Sequence, residues 1–489
     1  MHKGKAIELN IQQKQSFKFF QPADAWGIIL LFVFVTALLL GIGSLGSKVL
    51  NVFYPLGAFV VGWRLYFRHP VLYTGFVWWV FFLTPFIRRV SDLHAGALTE
   101  PSPMLLAPYA AVIVCAHTLY CNLSKTRENG SAPFVIAIAG VVYGYLIGLI
   151  NSSNFPSVTV AFLEWVSPIL FAYHLYIHWD RYPAYCRNLQ KVFLWGVLVM
   201  GAYGVYQYLV APDWDRFWLI NSPIKTSAGQ PVPFGIRVWS TLNAPGPFAC
   251  FMATGLLILF SCQSVLVAPA AGFGALAFLL SMVRTGWFGW MLGMIFISSS
   301  IKPKQQLKLV MTLVVLSALI IPLATMEPFA STISSRVETL ADINNDGSFQ
   351  ARQFLYNALI DDAITTYIGK GIGASGGFDS AVLVMLFDLG WVGSIPYIGS
   401  LILLVILIFK SPKKAKDIFA SIIRAVILQS LLYLFAGATM KGASGMLLWP
   451  FLGMGLAGRS YYYYEVQLAQ LKLLDSFKRL NSGLSSESV

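Results

Sequence analysis

The chain has 489 residues, of which 57% are hydrophobic and only 11% are charged. Soluble globular domains carry about 25% charged residues, so this composition excludes a soluble enzyme and indicates a polytopic membrane protein. The formal net charge is +13, but the basic residues are scattered over many short loops, which argues against a nucleic-acid partner. The five cysteines follow no paired spacing, so we expect neither a disulfide framework nor a metal site.

Apolar segments recur along the chain, and a helix of about 20 apolar residues crosses a bilayer. We predict an all-α transmembrane domain over residues 25–459 with about 14 transmembrane helices. Residues 1–24 form a predicted cytoplasmic segment without a signal-peptide layout, and residues 460–489 a predicted cytoplasmic tail. The predicted spans are 25–44, 48–66, 70–87, 103–121, 133–150, 159–178, 192–210, 245–262, 265–282, 285–300, 309–325, 380–409, 418–437 and 445–459.

Positive charge in the short loops predicts the orientation of these spans, because cytoplasmic loops are enriched in lysine and arginine. With the N-terminus inside, the cytoplasmic loops hold the stretches SKTRENG, RYPAYCRNLQK, KPKQQLK and KSPKKAK. Two long loops, 211–244 and 326–379, then face the periplasm. Arg88 and Arg89 break the pattern, since they would lie outside. Either the third span is misread or a function keeps these two arginines there.

The stretch GKGIGASGG contains Gly371, Gly373 and Gly376, spaced as G-x-G-x-x-G. That spacing can cradle the phosphates of a dinucleotide, but only where a strand precedes it. A helical pattern precedes it here, and the loop lies on the predicted outer face, so a nucleotide cofactor is disfavoured. We favour a flexible turn that leads from a surface helix into a span. A third alternative is that the glycine N–H groups lie near a lipid-borne phosphate.

Three arginines lie on the predicted outer side, against the positive-inside trend. Arg237 lies just before the span that starts at 245, and Arg284 lies at a short outer turn. Arg352 lies in line with the apolar stripe of a predicted amphipathic helix, residues 349–368. Each could be a snorkelling surface arginine, but membrane-edge charges are functional candidates by default. The planar guanidinium suits bidentate contacts with phosphate.

Two further charged groups lie near these arginines in the predicted topology. Asp379 is the last polar side chain but one before a long apolar run, and Lys441 is another outer-side cation. A carboxylate beside arginines can act as a general base or can simply pair with them, and the sequence leaves both roles open.

The stretch DINNDG, residues 342–347, matches the first half of a calcium-binding loop. The twelfth position of that loop should be glutamate but is Gln353, which removes the bidentate carboxylate. We therefore favour a turn that leads into the following helix over a calcium site.

Three stretches together resemble the O-antigen ligase and Wzy-type polymerase superfamily of bacterial envelopes. They are GIRVWSTLNAPGPFACFM, SMVRTGWFGW and the run from DGSFQARQFLYNALIDD through the glycine turn to LFDLGWVG. The resemblance covers roughly residues 235–404. It rests on the order and spacing of the motifs, and its matching positions are Arg237 with Asn243, Arg284 to Trp287, the turn from Gly369 to Gly373, the pair Asp379 and Ser380, and Leu389, Gly390 and Gly393.

The resemblance implies an inverting glycosyltransferase in the bacterial inner membrane that needs neither a nucleotide nor a metal cofactor. Such proteins move a glycan from undecaprenyl diphosphate onto an acceptor hydroxyl at the periplasmic face. The implied roles are diphosphate binding for Arg237, Arg284 and Arg352, and catalysis for Asp379, with Lys441, Arg88 and Arg89 as possible accessory groups.

Ligases of this superfamily usually carry histidine where this chain has Asp379, which favours a polysaccharide polymerase over an O-antigen ligase. The implied partners are the undecaprenyl-diphosphate-linked glycan, the lipid bilayer, and other polysaccharide assembly proteins such as a flippase and a chain-length regulator. An exporter or flippase of lipid-linked sugars is the alternative from another class. It is disfavoured because the sequence shows no internal repeat and its outer-side charges concentrate in the C-terminal half.

Overall fold

The computed structural model describes residues 23–222, 228–301, 347–375, 380–410, 417–435 and 439–484, with isolated positions at 303, 306, 307, 310, 314, 326, 327 and 437. Inside some helices only the backbone is described. We label the main helices of this part α1–α15. They are α1 Ala23–Gly41, α2 Ser44–Arg68, α3 Pro70–Ala95, α4 Pro103–Asn129 in several short pieces, α5 Ala132–Asn151, α6 Phe155–Ile177, α7 Tyr182–Val210, α8 Asp213–Asn221, α9 Pro245–Leu259, α10 Val267–Leu280, α11 Arg284–Ser300, α12 Gly347–Thr365, α13 Ala381–Phe409, α14 Ile418–Tyr433 and α15 Gly442–Leu484.

The chain is a multi-pass membrane protein, and its described part is all-helical. Eight helices of the described part are long and apolar enough to cross a membrane, namely α1–α7 and α13. Three shorter helices, α9, α10 and α14, are also apolar. The prediction of an all-α fold is confirmed for the described residues, where the only extended pairing is an isolated bridge between Gly229 and Ile236. The count of 14 spans and the sidedness stay predictions, and most of the predicted span 309–325 lies outside the described residues.

Several helices extend beyond their predicted ends. Helix α3 continues to Ala95, whereas the sequence predicts an end at 87. Helix α7 begins at Tyr182 and so includes part of a predicted loop, and α15 continues through much of the predicted tail to Leu484. Helix α8 lies within the predicted loop 211–244. Hydropathy marks only the apolar part of a helix, so polar turns that continue the same helix fall outside a predicted span.

Aromatic side chains and close helix contacts form the core. Trp78, Trp165 and Trp449 are almost completely buried, and Nε1 of Trp449 donates to the hydroxyl of Tyr397 at 2.8 Å. Buried indole groups need such a partner for their N–H. The pairs α6 with α15 and α5 with α13 pack along much of their lengths. Small residues at the contacts allow this, as is common between membrane helices.

Short connections fix which helix ends lie together. Residues 178–181 join α6 to α7, and residues 152–154 join α5 to α6, so consecutive helices run antiparallel. The end of α5, the start of α6 and the end of α7 therefore lie at one end of the bundle. We call this the loop end, because segment 211–244 follows α7 there. The sequence predicts that the loop end faces the periplasm.

Candidate functional site

The described parts of segment 211–244 are fixed to the bundle by the buried side chain of Arg89. Its Nε donates to Oδ1 of Asp215 at 2.7 Å, and both side chains are completely buried. Its two terminal nitrogens donate to the carbonyl groups of Ser240 and Leu242. One guanidinium group thus joins α3 to α8 and to the segment that precedes α9.

The carboxylate of Asp215 has further partners that complete this network. Its Oδ2 accepts hydrogen bonds from the hydroxyl of Tyr203 at 2.6 Å and from Nε2 of Gln207 at 2.8 Å. The amide oxygen of Gln207 in turn accepts from the backbone N–H groups of Trp239 and Ser240. A buried polar network whose members are satisfied in this way makes the surrounding backbone rigid.

Arg88 also makes contacts within the protein. Its Nε donates to Asp92 at 3.1 Å, its Nη2 donates to the carbonyl of Thr99 at 2.9 Å, and its guanidinium lies 4.8 Å from the ring centre of Trp218. The positive charges of Arg88 and Arg89 at the loop end therefore have a structural explanation. Helix α3 continues past both arginines to Ala95, and both still lie at the loop end, so the two explanations that the sequence leaves open stay predictions.

The structure brings the predicted diphosphate ligands Arg237 and Arg284 to one turn. Nη2 of Arg237 donates to the carbonyl of Met282 at 3.1 Å, and Met282 lies two residues before Arg284, the first residue of α11. Met282 has a left-handed backbone, with φ of 55°. Both arginine side chains are partly exposed. The α10–α11 turn therefore accepts a hydrogen bond from one of the two predicted ligands and carries the other.

Tyr433 places the start of α15 at the same end as the α10–α11 turn. The hydroxyl of Tyr433, the last residue of α14, donates to the carbonyl of Gly286 at 3.3 Å in the first turn of α11. The chain then continues from Tyr433 over a short stretch to Lys441. The predicted cations Arg237, Arg284 and Lys441 consequently share the loop end of the bundle.

A buried carboxylate, Asp388, is the functional candidate that our sequence analysis missed. Its Oδ2 accepts from Nε1 of Trp165 at 3.1 Å and lies 3.8 Å from Nζ of Lys441. Its Oδ1 accepts from the backbone N–H of Ser375 at 3.1 Å. Glu164, one residue before Trp165, lies within electrostatic range of Lys441 and Asp388. The sequence does mark Asp388 in one way, because a lone carboxylate inside an apolar run is by itself a functional candidate.

The glycine turn is packed into the bundle rather than flexible on its surface. A Cβ atom on Gly371 would overlap the backbone of Gly148 in α5, and one on Gly369 would lie 2.6 Å from the backbone N of Gly390. Helix α13 kinks at Gly390, where φ is 61°. Only glycine allows this approach together with a left-handed backbone, since φ is 87° at Gly369 and 94° at Gly371.

Most of the described amide groups of this turn donate to the protein itself. The N–H of Lys370 donates to Phe387, that of Ile372 donates to Gly144, and that of Ala374 donates to Gly371. The N–H of Ser375 donates to Asp388. The turn therefore uses these amides to hold α5 and α13 together, which leaves few of them for a nucleotide or a lipid phosphate. Gly376 lies outside the described residues.

The remaining predicted site residues are described only through their neighbours. The backbone of Arg352 lies in α12, one turn before Tyr356, but its side chain is outside the description. The hydroxyl of Ser380 donates to that of Tyr356 at 2.7 Å, so α12 packs on the start of α13. Asp379, the predicted catalytic residue, lies outside the described residues. Its chain neighbour Ser380 thus lies next to the helix that carries Arg352.

The predicted alternative of a calcium loop at 342–347 also lies outside the described residues, apart from the helical backbone at Gly347. In the ranges that the structure describes, no three His, Cys, Asp or Glu side chains come together as metal ligands.

The chemistry of the loop end follows from these groups. It offers partly exposed guanidinium groups at the α10–α11 turn, an ammonium group at the start of α15, and a buried carboxylate that holds the glycine turn. Cations at the same end of the bundle can attract an anionic substrate to that end. A comparison with protein-family models finds no match for this chain, and a comparison with curated protein sequences finds none either.

Proposed function

We propose that this chain is a glycosyltransferase that polymerises undecaprenyl-diphosphate-linked oligosaccharide repeat units. Its product would be exopolysaccharide or O-antigen, made at the periplasmic face of the bacterial inner membrane. The observation that carries the proposal is the contact between Arg237 and Met282, two residues before Arg284. Two arginines that the sequence nominated separately, 47 positions apart, are thereby combined at one turn.

The two arginines would bind the diphosphate of the carrier lipid, with Arg352 as a third ligand. A diphosphate leaving group gains negative charge as its bond to the sugar breaks, so fixed guanidinium groups stabilise the transition state more than the ground state. Hydrogen bonds to charged groups contribute about 1.5–3 kcal/mol each, which corresponds to roughly ten- to a hundredfold in rate.

The transfer itself needs no cofactor in this proposal. The acceptor hydroxyl attacks the anomeric carbon, a new glycosidic C–O bond forms, and the bond to the diphosphate oxygen breaks with inversion. The proton of the hydroxyl passes to Asp379, and the diphosphate leaves on its lipid carrier. A positioned general base contributes typically about 10²–10⁴-fold to such a step.

Asp388 has a different role in this proposal. It is completely buried and already accepts hydrogen bonds from Trp165 and Ser375. A carboxylate committed in this way cannot reach an acceptor sugar, but it can hold the glycine turn through Ser375. Ser375 lies four residues before Asp379 in the chain. We therefore assign Asp388 as a positioning residue and keep Asp379 as the group that contacts substrate.

The test is polymer formation by the purified chain in proteoliposomes, with synthetic undecaprenyl-diphosphate-linked repeat units as the only substrate. Wild-type protein should lengthen the glycan, and Arg284→Ala should reduce turnover about tenfold or more. Arg216→Ala is the matched control, because Arg216 also follows α7 at the loop end but is half exposed and pairs with Asp213. It should leave turnover unchanged.

Three outcomes would contradict the proposal. Normal polymer formation by the double variant Arg237→Ala, Arg284→Ala would show that these arginines do not form the diphosphate site. Transfer of a finished glycan onto a lipid or protein acceptor, without lengthening, would make the chain a ligase. Movement of the lipid-linked sugar across the membrane without any new glycosidic bond would make it an exporter or flippase.

A further inference from the structure

A second cationic site lies at the end of the bundle opposite the loop end. A narrow cleft of about 10 Å³ lies between α7, α13, α14 and α15. Its polar lining consists of Arg424, Arg459, Tyr182 and Tyr462, and its apolar lining includes Ile408 and Ile423. None of these residues belongs to the site proposed for glycan transfer, so the cleft needs an explanation of its own.

Arg424 is the central observation. It is the seventh residue of α14, about 9 Å along the helix axis from Ile418, and it is half-buried in a helix that carries no other charged side chain. Among the residues that the structure describes, it forms no hydrogen bond and no ion pair, although it lines the cleft. A guanidinium group at such a position is costly unless an anion compensates its charge.

Two neighbouring groups are arranged to assist Arg424. The Tyr182 hydroxyl is buried and has no hydrogen bond of normal geometry to the described residues, and the side chains of Cys186, Asp417 and Tyr462 lie near it. A Cβ atom on Gly458 would lie 3.0 Å from this hydroxyl oxygen, so the glycine makes room for the Tyr182 side chain. Nη1 of Arg459 donates a hydrogen bond to the carbonyl of Leu407 at 2.9 Å, which fixes the position of the Arg459 side chain at the cleft.

The carboxylate of Asp417, which precedes α14, already has two hydrogen-bond donors. Oδ1 of Asp417 accepts from the N–H of Phe419 at 2.9 Å and so caps α14, and its Oδ2 accepts from the hydroxyl of Tyr462 at 2.7 Å. Asp417 and Tyr462 therefore satisfy each other, and Asp417 forms no ion pair with Arg424 in the described part of the chain.

We propose that this cleft binds the phosphate headgroup of an anionic phospholipid. Arg424 and Arg459 would hold the phosphate oxygens, and the Tyr182 hydroxyl would donate a further hydrogen bond. The apolar side chains of Ile408 and Ile423 suit the acyl-chain side of a lipid better than a free phosphate ion. The sequence predicts that this end faces the cytoplasm, where anionic lipids attract basic protein segments.

The experiment measures phospholipid binding to the purified full chain by native mass spectrometry. Phosphatidylglycerol is titrated against phosphatidylcholine, and wild-type protein should bind phosphatidylglycerol more tightly. Arg424→Gln should weaken phosphatidylglycerol binding about tenfold or more. Arg187→Gln is the control, because Arg187 is exposed near the start of α7 at the same end and its replacement removes the same charge. It should change the affinity little.

A second arm separates a lipid headgroup from a free phosphate. Inorganic phosphate is added to wild-type protein in phosphatidylcholine, and the melting temperature is compared with that in phosphatidylglycerol. Equal stabilisation by inorganic phosphate would overturn the proposal, and so would equal phosphatidylglycerol affinity for wild type and Arg424→Gln. If Arg424→Gln does not fold, Arg459→Gln and Tyr182→Phe provide the same comparison, and unchanged affinity in both would overturn the proposal as well.

Discussion

Nζ of Lys441 lies 3.8 Å from Oδ2 of Asp388, so an ammonium group that is 17% exposed compensates a carboxylate that is fully buried. Removing one partner of such a pair leaves an uncompensated charge in the interior, which costs more than the pair itself contributes. The pair also spans two parts of the candidate site, since Asp388 holds the glycine turn and Lys441 starts α15.

We predict that Lys441→Met lowers the free energy of unfolding by about 3 kcal/mol, at the lower end of the range for buried pairs because Lys441 keeps some exposure. The double variant with Asp388→Asn should recover part of that loss, because it no longer buries a lone charge. The measurement is denaturant unfolding in detergent micelles, followed by tryptophan fluorescence.

An exposed pair at the same glycine turn gives the control. Nζ of Lys370 lies 2.7 Å from Asp362, and both side chains are about half exposed. Solvent weakens such a pair, so Lys370→Met should cost less than about 1 kcal/mol. Equal losses for Lys370→Met and Lys441→Met would show that the Asp388 pair has no special role in the fold.

Arg89 gives the second prediction, which concerns the segment before α9. Arg89→Met removes the donors for Asp215, Ser240 and Leu242 and leaves the Asp215 carboxylate buried without its cation. We expect a loss of about 3–5 kcal/mol, the typical cost of breaking a buried pair. Limited proteolysis should then cleave segment 228–244 faster than in wild type. Arg216→Met, at an exposed pair in α8, should leave the cleavage rate as it was.

The third prediction separates two reasons for glycine in the turn. Gly371 has φ of 94° and contacts the backbone of Gly148. Gly373 has φ of 97°, but the atoms nearest to a Cβ added there lie 3.8 Å away, which is an ordinary van der Waals contact. Gly373→Ala should therefore cost only the backbone strain, about 1–3 kcal/mol. Gly371→Ala should cost more, because the turn must also move away from α5.

Gly272 supplies the control for these two variants. It lies within α10, an added Cβ would meet nothing within 4 Å, and its backbone is helical. Gly272→Ala should leave the melting temperature equal or slightly higher, since alanine favours a helix by about 0.5–1 kcal/mol over glycine. Equal effects of Gly371→Ala and Gly373→Ala would show that contact with α5 does not require the glycine.

Hydropathy and motif order are sufficient to predict the all-helical membrane fold and to nominate Arg237 and Arg284, which the structure brings to one turn. They are insufficient for Arg88 and Arg89. The apolar pattern ends at residue 87, but α3 continues because its polar last turns are buried by segment 211–244. Tertiary contacts of this kind leave no periodic signal in the sequence.

Asp388 shows the other limit of sequence analysis. It lies inside an apolar run, and its partners Trp165, Ser375 and Lys441 are distant in sequence or come from a loop. Spacing along the chain therefore cannot reveal the cluster. The spacing of the glycines in the turn resembles a phosphate-binding motif. The turn requires glycine for another reason, namely its close approach to the backbone of α5 and to the kink of α13, which only the packed structure reveals.

The fourth prediction tests the sidedness on which the proposed function depends. Gln353 on α12 and Glu465 on α15 are both exposed, and the predicted topology puts them on opposite sides of the membrane. In a Cys121→Ser background, which removes the exposed natural cysteine, Gln353→Cys should react with an impermeant maleimide in intact spheroplasts. Glu465→Cys should react only after lysis. The reverse pattern would invert the topology and remove the periplasmic active site.

The last prediction concerns Asp379, for which a catalytic and a structural role compete. As a general base it must be ionised and must reach the acceptor hydroxyl. In the proposed site, arginines beside it would favour its ionised form but also make it a weaker base, so we expect it mainly to orient the acceptor and to take the proton as the new C–O bond forms. Asp379→Asn keeps the shape and removes the charge, and should lower polymer formed per folded enzyme by about 10²–10⁴-fold.

Asp388→Asn distinguishes this role from support of the turn. It removes the charge of a carboxylate that contacts Trp165, Ser375 and Lys441 inside the protein, so it should lower stability while the folded fraction keeps much of its turnover. Asp379→Asn should show the opposite balance, with normal stability and lost turnover. If Asp379→Asn instead unfolds the protein and lowers turnover per folded enzyme by less than about tenfold, Asp379 only holds the loop, and the arginines are left as the whole catalytic site.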